Sequence, residues 1–235
     1  MAKQKVKTQI VPHVSFGLLP LPCSPTSTAM SSRLHTSTPA AGPSKRPHTK
    51  AWVDPASLPR DSGVDVSSIA GNAPDYVKQL SCNTFYAYGV GEPESFGYAV
   101  GRATKFVEIN IERSMEKAGR LEATTVAELA VTKHMLNGAG MLHGGCVTYL
   151  IDNCCSTPLV VLGVFQNING VGVTQAMNVL FHAPASLGSQ LRIISTSISM
   201  GGRVMTSRCE IVDKCSGRTV ASAFLNKMQP QPAKL

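Results

Sequence analysis

The run Asn137-Gly-Ala-Gly-Met-Leu-His143-Gly144-Gly145-Cys-Val-Thr-Tyr-Leu-Ile-Asp152 holds residue types that could do chemistry together. A helical pattern begins at about His143. Each glycine in a helix interior costs about 1 kcal/mol relative to alanine, so two of them at a helix start point to close backbone approach or an unusual dihedral angle. The first turn of a helix offers unpaired N–H groups at the positive end of the helix dipole. Such a turn can polarise a carbonyl or hold an oxyanion, and Gly144, having no Cβ, would let a ligand come up to its N–H. Asp152 follows eight residues later and could act as a base. Along one helix that spacing is about 12 Å. One carbonyl cannot be gripped by both within one chain, so a shared site demands two copies packed antiparallel about a two-fold axis. Each residue also has a plainer meaning. His143 alone reads as a packed or capping histidine, and the two glycines as a turn. The apolar stripe centres near Leu150 and Cys154, which puts Asp152 on the opposite side and, by periodicity alone, in solvent.

The elements that must position these residues follow from pattern. Asp75 to Leu80 can open a short helix with Tyr76, Val77 and Leu80 on one face, while 81–104, rich in Gly, Tyr and Phe, fits no regular element. Lys105 to Glu112 is a predicted strand, and Glu116 to Gly119 a turn. Arg120 to Val131 alternates, with Leu121, Ala123, Ala127 and Leu129 on one face and Glu122, Thr124 and Glu128 on the other, as a half-buried strand does. The helix from about His143 to Leu162 carries Cys146, Val147, Leu150, Ile151, Cys154 and Cys155 at helical spacing, and Pro158 is expected to end or kink it. Four strands complete the order: Gly172 to His182, Gln190 to Met200, Arg203 to Val212 and Arg218 to Met228. Gly201-Gly202 joins the second and third of these as a tight hairpin. An antiparallel sheet wrapped around one long helix, an α+β arrangement, satisfies this order.

Composition sets the outer bounds. The chain has 235 residues and a net charge of +8. Seven Lys and Arg residues and no acid lie in the first 53 residues, so the remainder is nearly neutral at +1. The folded part therefore lacks the compositional basic excess of a nucleic-acid binder. Nine of the fifteen prolines precede residue 60, and residues 1–70 read as a disordered Ser/Thr/Pro-rich extension ahead of a domain at 74–230. The extension has the acid-poor, basic composition of a mitochondrial presequence, and Arg33-Leu34-His35-Thr36-Ser37 resembles the end of many fungal ones. Mitochondrial residence is the expectation, with the cytoplasm as the alternative. No apolar run in the sequence reaches the ~20 residues of a membrane span. Seven cysteines without a Cys-x-x-Cys pair argue for a reducing compartment and against zinc. Cys154 and Cys155 read as core, with no basic partner to make either a nucleophile.

His143-Gly144-Gly145 with Asp152, and Asn137 six residues before the histidine, resembles the hotdog-fold thioesterases. The likeness is greatest to the branch of small acyl-CoA thioesterases that includes thioesterase superfamily member 2 and phenylacetate-pathway thioesterases. The segment Val173-Thr174-Gln175-Ala176-Met177-Asn178 through Pro184 to Gly188 is similar to that family's strand after the helix. The resemblance spans roughly residues 74–228. It implies a hotdog fold, acyl-CoA as substrate, and a homodimer or tetramer with shared active sites. It implies that the Gly144 N–H polarises the thioester carbonyl, and that Asp152 of the other subunit is general base or nucleophile. Asn137 would orient substrate or water. Thr174, where the nearest relatives carry serine, would help hold the water. His143 and Gly145 would shape the loop that receives substrate. No metal or prosthetic group is implied. Two other functions fit the same fold. One is a non-catalytic acyl-CoA or lipid-binding module in a larger complex. The other is a hydratase, whose Asp and His pair sits on a different motif that is not seen here.

Overall fold

The computed structural model of the chain describes residues 54–61 and 63–229. The acid-free segment up to residue 53, on which the import expectation rests, lies outside them. Packed structure reaches back into the segment that composition assigns to the extension. Ile69 is buried and accepts a hydrogen bond from the Lys78 ammonium. Ala70 bridges to Glu108.

Helix α3 (Gly144–Gln166) is the axis of the domain. Its first half buries Val147, Leu150, Ile151, Cys154 and Cys155 of the predicted stripe, with Cys146 only half-buried, and from Cys154 to Gly163 every residue is buried. By length and hydropathy this helix could cross a membrane, but two-thirds of that stretch (67%) lies inside the fold. Pro158 does not end the helix, which runs on to Gln166. The proline withdraws one N–H donor, and the buried turns on either side hold the helix in place. Asn167 in the left-handed region stops it, with the Ile168 N–H bonded back to the Gly163 carbonyl.

Six antiparallel strands wrap this helix. They are β1 (Lys105–Ser114), β2 (Arg120–Ala130), β3 (Val173–Phe181), β4 (Gln190–Met200), β5 (Val204–Asp213) and β6 (Thr219–Met228), in the order β1-β2-β4-β5-β6-β3. The predicted strands are all present, within one or two residues at their ends. Inward residues alternate as a half-buried sheet requires: Leu191 and Ile193 on β4, Met205, Cys209 and Ile211 on β5, and Ala221, Ala223 and Leu225 on β6 are all buried. On the outer face of β2 and β4, Arg192 pairs with Glu108 and Glu128. Register places Thr174 of β3 opposite Lys227 of β6 and Phe181 opposite Ala221, so Thr174 and Phe181 share the helix-facing side.

Residues 75–104 form more structure than the sequence suggests. Helix α1 extends over Asp75–Thr84, continues as a π-helix over Phe85–Val90, and is followed by α2 (Tyr98–Ala103). The segment closes over α3 through Tyr149, whose hydroxyl donates to the Gly89 carbonyl. Gly97, at φ +74°, leaves room for the Tyr149 ring, which a Cβ there would meet at 2.5 Å.

Candidate active site

His143 is the N-cap of α3. Its Nδ1 accepts the Gly145 N–H at 2.8 Å, which fixes the proton on Nε2 when the ring is neutral. The two glycines serve different ends. A Cβ on Gly145 would stand 3.0 Å from His143 Nδ1, against the cap itself. A Cβ on Gly144 would meet only the Phe181 ring, at an ordinary 3.6 Å. The chain's own packing therefore leaves space beside Gly144. At the first helical position the Gly144 N–H has no acceptor within its helix, and among the described residues no backbone partner takes it.

Gly144 opens on a cleft of about 350 Å³ lined by Asn137, Val147, Phe181, His182 and Pro184 as well. Asn137 shapes this wall from its own turn, where its Oδ1 accepts the N–H groups of Ala139 and Met141, at 2.9 and 3.1 Å. Its amide nitrogen remains available to a ligand. A second cleft of about 540 Å³ lies on the other flank of the helix start. His143, Gly145, Cys146 and Tyr149 form one side of it, and Phe96 and Val100 the other.

Asp152 lines neither cleft. It is half-buried two turns further along α3, where Thr174 Oγ1 donates to its Oδ1 at 2.7 Å. Periodicity expects a solvated side chain here. The structure differs because β3 and β6 flank this side of the helix, with a bulge at Gln175 between the Thr174 and Ala176 pairings. The six expected site residues thus fall into two groups within one chain: Asn137, His143, Gly144 and Gly145 at the helix start, and Asp152 with Thr174 beyond.

Sequence reasoning passed over Lys227 and Ser156, which flank Asp152. The Lys227 ammonium donates to Ser156 Oγ at 3.0 Å, and Ser156 Oγ donates to the Asp152 carbonyl at 2.6 Å. The signal lay in strand parity: Lys227 continues the inward series of Ala221, Ala223 and Leu225. Burial holds the Lys227 ammonium below the ordinary lysine range, opposed by the Asp152 charge. The thiols on α3 are poor nucleophiles. Burial pushes Cys146 up to about 11 and raises Cys154 further. Cys155 is raised by its hydrogen bond with Cys209 and by burial. Among the described residues, no group of three His, Cys, Asp or Glu side chains could hold a metal ion.

Comparison with known proteins gives this geometry relatives. The family model described as thioesterase superfamily matches residues 139–219, from the loop before the helix to the start of β6. Acyl-coenzyme A thioesterase 13 of Homo sapiens is 26% identical over 115 residues, which cover 48% of this chain and 79% of that protein. The Mus musculus protein of the same name is 24% identical over 113 residues, 47% of this chain and 78% of that one. Residues 139–219 thus resemble the thioesterase superfamily. Solved structures agree on its fold. Zebra fish thioesterase superfamily member 2 superposes with a TM-score of 0.52 at 18% identity, covering 66% of this chain and 98% of that one. The Mus musculus counterpart gives 0.50 at 20% identity, over 65% and 96%. The fold of this domain is the hotdog, a long helix wrapped by an antiparallel sheet.

Proposed function

We propose that this domain hydrolyses the thioester of an acyl-CoA, releasing a free acid and CoA, at a site completed by two copies of the chain. The observation that carries this reading is the pair of half-sites: an open glycine N–H at the start of α3, and a half-buried carboxylate held by Thr174 two turns away. In the reaction the carbonyl oxygen sits at the Gly144 N–H, beside the positive end of the helix. Asp152 takes a proton from water as the water oxygen bonds to the carbonyl carbon. The resulting tetrahedral oxyanion stays on the Gly144 N–H. When it collapses, the carbon–sulfur bond breaks and CoA leaves as its thiolate. Thr174 fixes one carboxylate oxygen and leaves the other to face the water. Direct attack by Asp152 on the carbonyl would use the same parts: the carbon–sulfur bond breaks, CoA leaves as its thiolate, and the anhydride left on Asp152 is then opened by water.

The second copy is supported by β3. This strand is a sheet edge of nine residues, Val173–Phe181, without a charged residue or proline. Val173, Leu180 and Phe181 are exposed on it. A strand edge of that kind presents unpaired backbone groups to another strand. The opposite edge, β1, carries Lys105, Glu108, Glu112 and Arg113. Thr174 stands near one end of β3, beside Asp152, and Phe181 at the other, beside Gly144. Two β3 strands paired antiparallel about their middle would bring the Thr174 end of each to the Phe181 end of the other. Gly144 of one chain then meets Asp152 of its mate.

The reading is tested by assaying butyryl-, octanoyl- and palmitoyl-CoA for release of free thiol by the wild type and Asp152→Asn. The wild type is expected to turn over at least one of them. The variant, folded by circular dichroism, is expected to lose about 10²- to 10⁴-fold, the usual contribution of a general base. Acyl-CoA binding without thiol release by the wild type would instead assign the domain to non-catalytic acyl-CoA binding.

A further inference from the structure

Lys227 stands where a strand facing a core ordinarily carries an apolar residue. Its neighbours on the same face of β6 are Ala223 and Leu225, both buried. Across the sheet it pairs with Thr174 of β3 and Met205 of β5. Withdrawing an ammonium from water into such a position costs free energy unless a partner compensates it. Two compensations are present. The ammonium donates to the buried Ser156 hydroxyl at 3.0 Å, and that hydroxyl donates to the Asp152 carbonyl at 2.6 Å. The Asp152 carboxylate attracts the ammonium across space. From the β3 side Thr174 holds the same carboxylate at 2.7 Å. The helical turn bearing Asp152 is thus gripped from two adjacent strands, by a hydroxyl on one and a cation on the other.

We propose that Lys227 is a positioning residue of the hydrolytic site: its charged ammonium, anchored on Ser156, orients the Asp152 turn and balances the charge of the Asp152–Thr174 pair. This rests on the hydrolase reading above. The ionisable groups facing Lys227 are Asp152 and Cys155 of α3; Thr174 of β3 and Met205 of β5 bring no charge. The Cys155 thiol, raised by its hydrogen bond with Cys209 and by burial, stays neutral. Asp152 is then the one anion that Lys227 faces among the described residues. Burial is the larger influence on the ammonium and lowers its pKa below 10.5. The charge that the site uses therefore disappears at a lower pH than for a free lysine, and hydrolysis falls with it.

The test is the pH profile of kcat/KM, corrected for spontaneous hydrolysis, on whichever of butyryl-, octanoyl- and palmitoyl-CoA the wild type cleaves. Wild type, Lys227→Arg, Lys227→Met and Asp152→Asn are compared, each checked for fold by circular dichroism. The wild type is expected to lose activity on the alkaline side below pH 10.5. Lys227→Arg, whose guanidinium does not titrate, should keep at least about half the neutral-pH value and lack that alkaline fall. Lys227→Met should lose about tenfold or more at neutral pH and also lack the fall. Lys227→Met active within about twofold of wild type, or retaining the wild-type alkaline fall, overturns the proposal. Where the larger arginine prevents folding, the methionine profile decides alone. No turnover by the wild type removes the hydrolase reading itself; full turnover by Asp152→Asn leaves hydrolysis standing but removes Asp152 from it, and either outcome ends this proposal.

Discussion

Gly144 and Gly145 are neighbours of one type with different duties, and substitution separates them. Gly145→Ala sets a methyl against the imidazole that caps α3. Loss of such a cap costs about 1 kcal/mol, so thermal unfolding is expected several degrees lower. Gly144→Ala meets the Phe181 ring at ordinary contact distance and leaves the unfolding temperature in place. Its methyl stands where a carbonyl would approach, so kcat/KM should fall about tenfold or more. Equal effects of the two substitutions on unfolding would contradict this division. Lys227 adds a pH dependence of stability. Its pKa is lowered in the folded chain, so between that value and 10.5 the unfolded chain binds more protons. Stability relative to Lys227→Met therefore rises with pH across that window. At this scale the helix-start residues were legible because glycine is costly in a helix and so signals its purpose. The setting of Asp152 was not, since helical periodicity cannot see strands arriving from elsewhere in the chain. The alternation of β6 turns Lys227 inward, but its partners on α3 and β3 come from the pairing of strands, which one strand's alternation does not reveal.

Among the elements, the proposed function rests on strand β3 and helix α3. The helix sets the spacing between the half-sites, and β3 runs past both. Asn178, near the middle of β3, is exposed and lies on the outer face opposite Phe224. Asn178→Lys would place a cation at the centre of the edge, close to its own copy across the two-fold axis, as edge lysines do when they block pairing. Sedimentation is expected to give a monomer, with circular dichroism unchanged and thiol release lost. A dimer that survives this substitution would locate the contact elsewhere. The six strands and α3 were readable in sequence because each buries one face, and burial imposes alternation or helical spacing. Residues 81–104 were not, because their structure is an α-helix running into a π-helix and a short second helix, set by Tyr149 packing against Gly97. Pro158 misled for a related reason: ten consecutive buried residues hold a helix that local propensity would break.

Across the whole molecule, one chain carries both proposed half-sites and holds them apart. The hotdog fold is common to this domain and to the solved thioesterase structures that superpose on it. The proposed site needs a two-fold arrangement that would join Gly144 of one copy to Asp152 of the other. The most direct measurement mixes two defective chains. Gly144→Val blocks the cleft and keeps Asp152, while Asp152→Asn keeps the cleft and lacks the carboxylate. Each alone is expected to be inactive toward an acyl-CoA that the wild type cleaves. Co-expressed, with the mixed dimer isolated by two different tags, they rebuild one intact site from Gly144 of one chain and Asp152 of the other, and thiol release should return to about half the wild-type rate per dimer. A mixed dimer as inactive as its parents would show that no site spans the two chains.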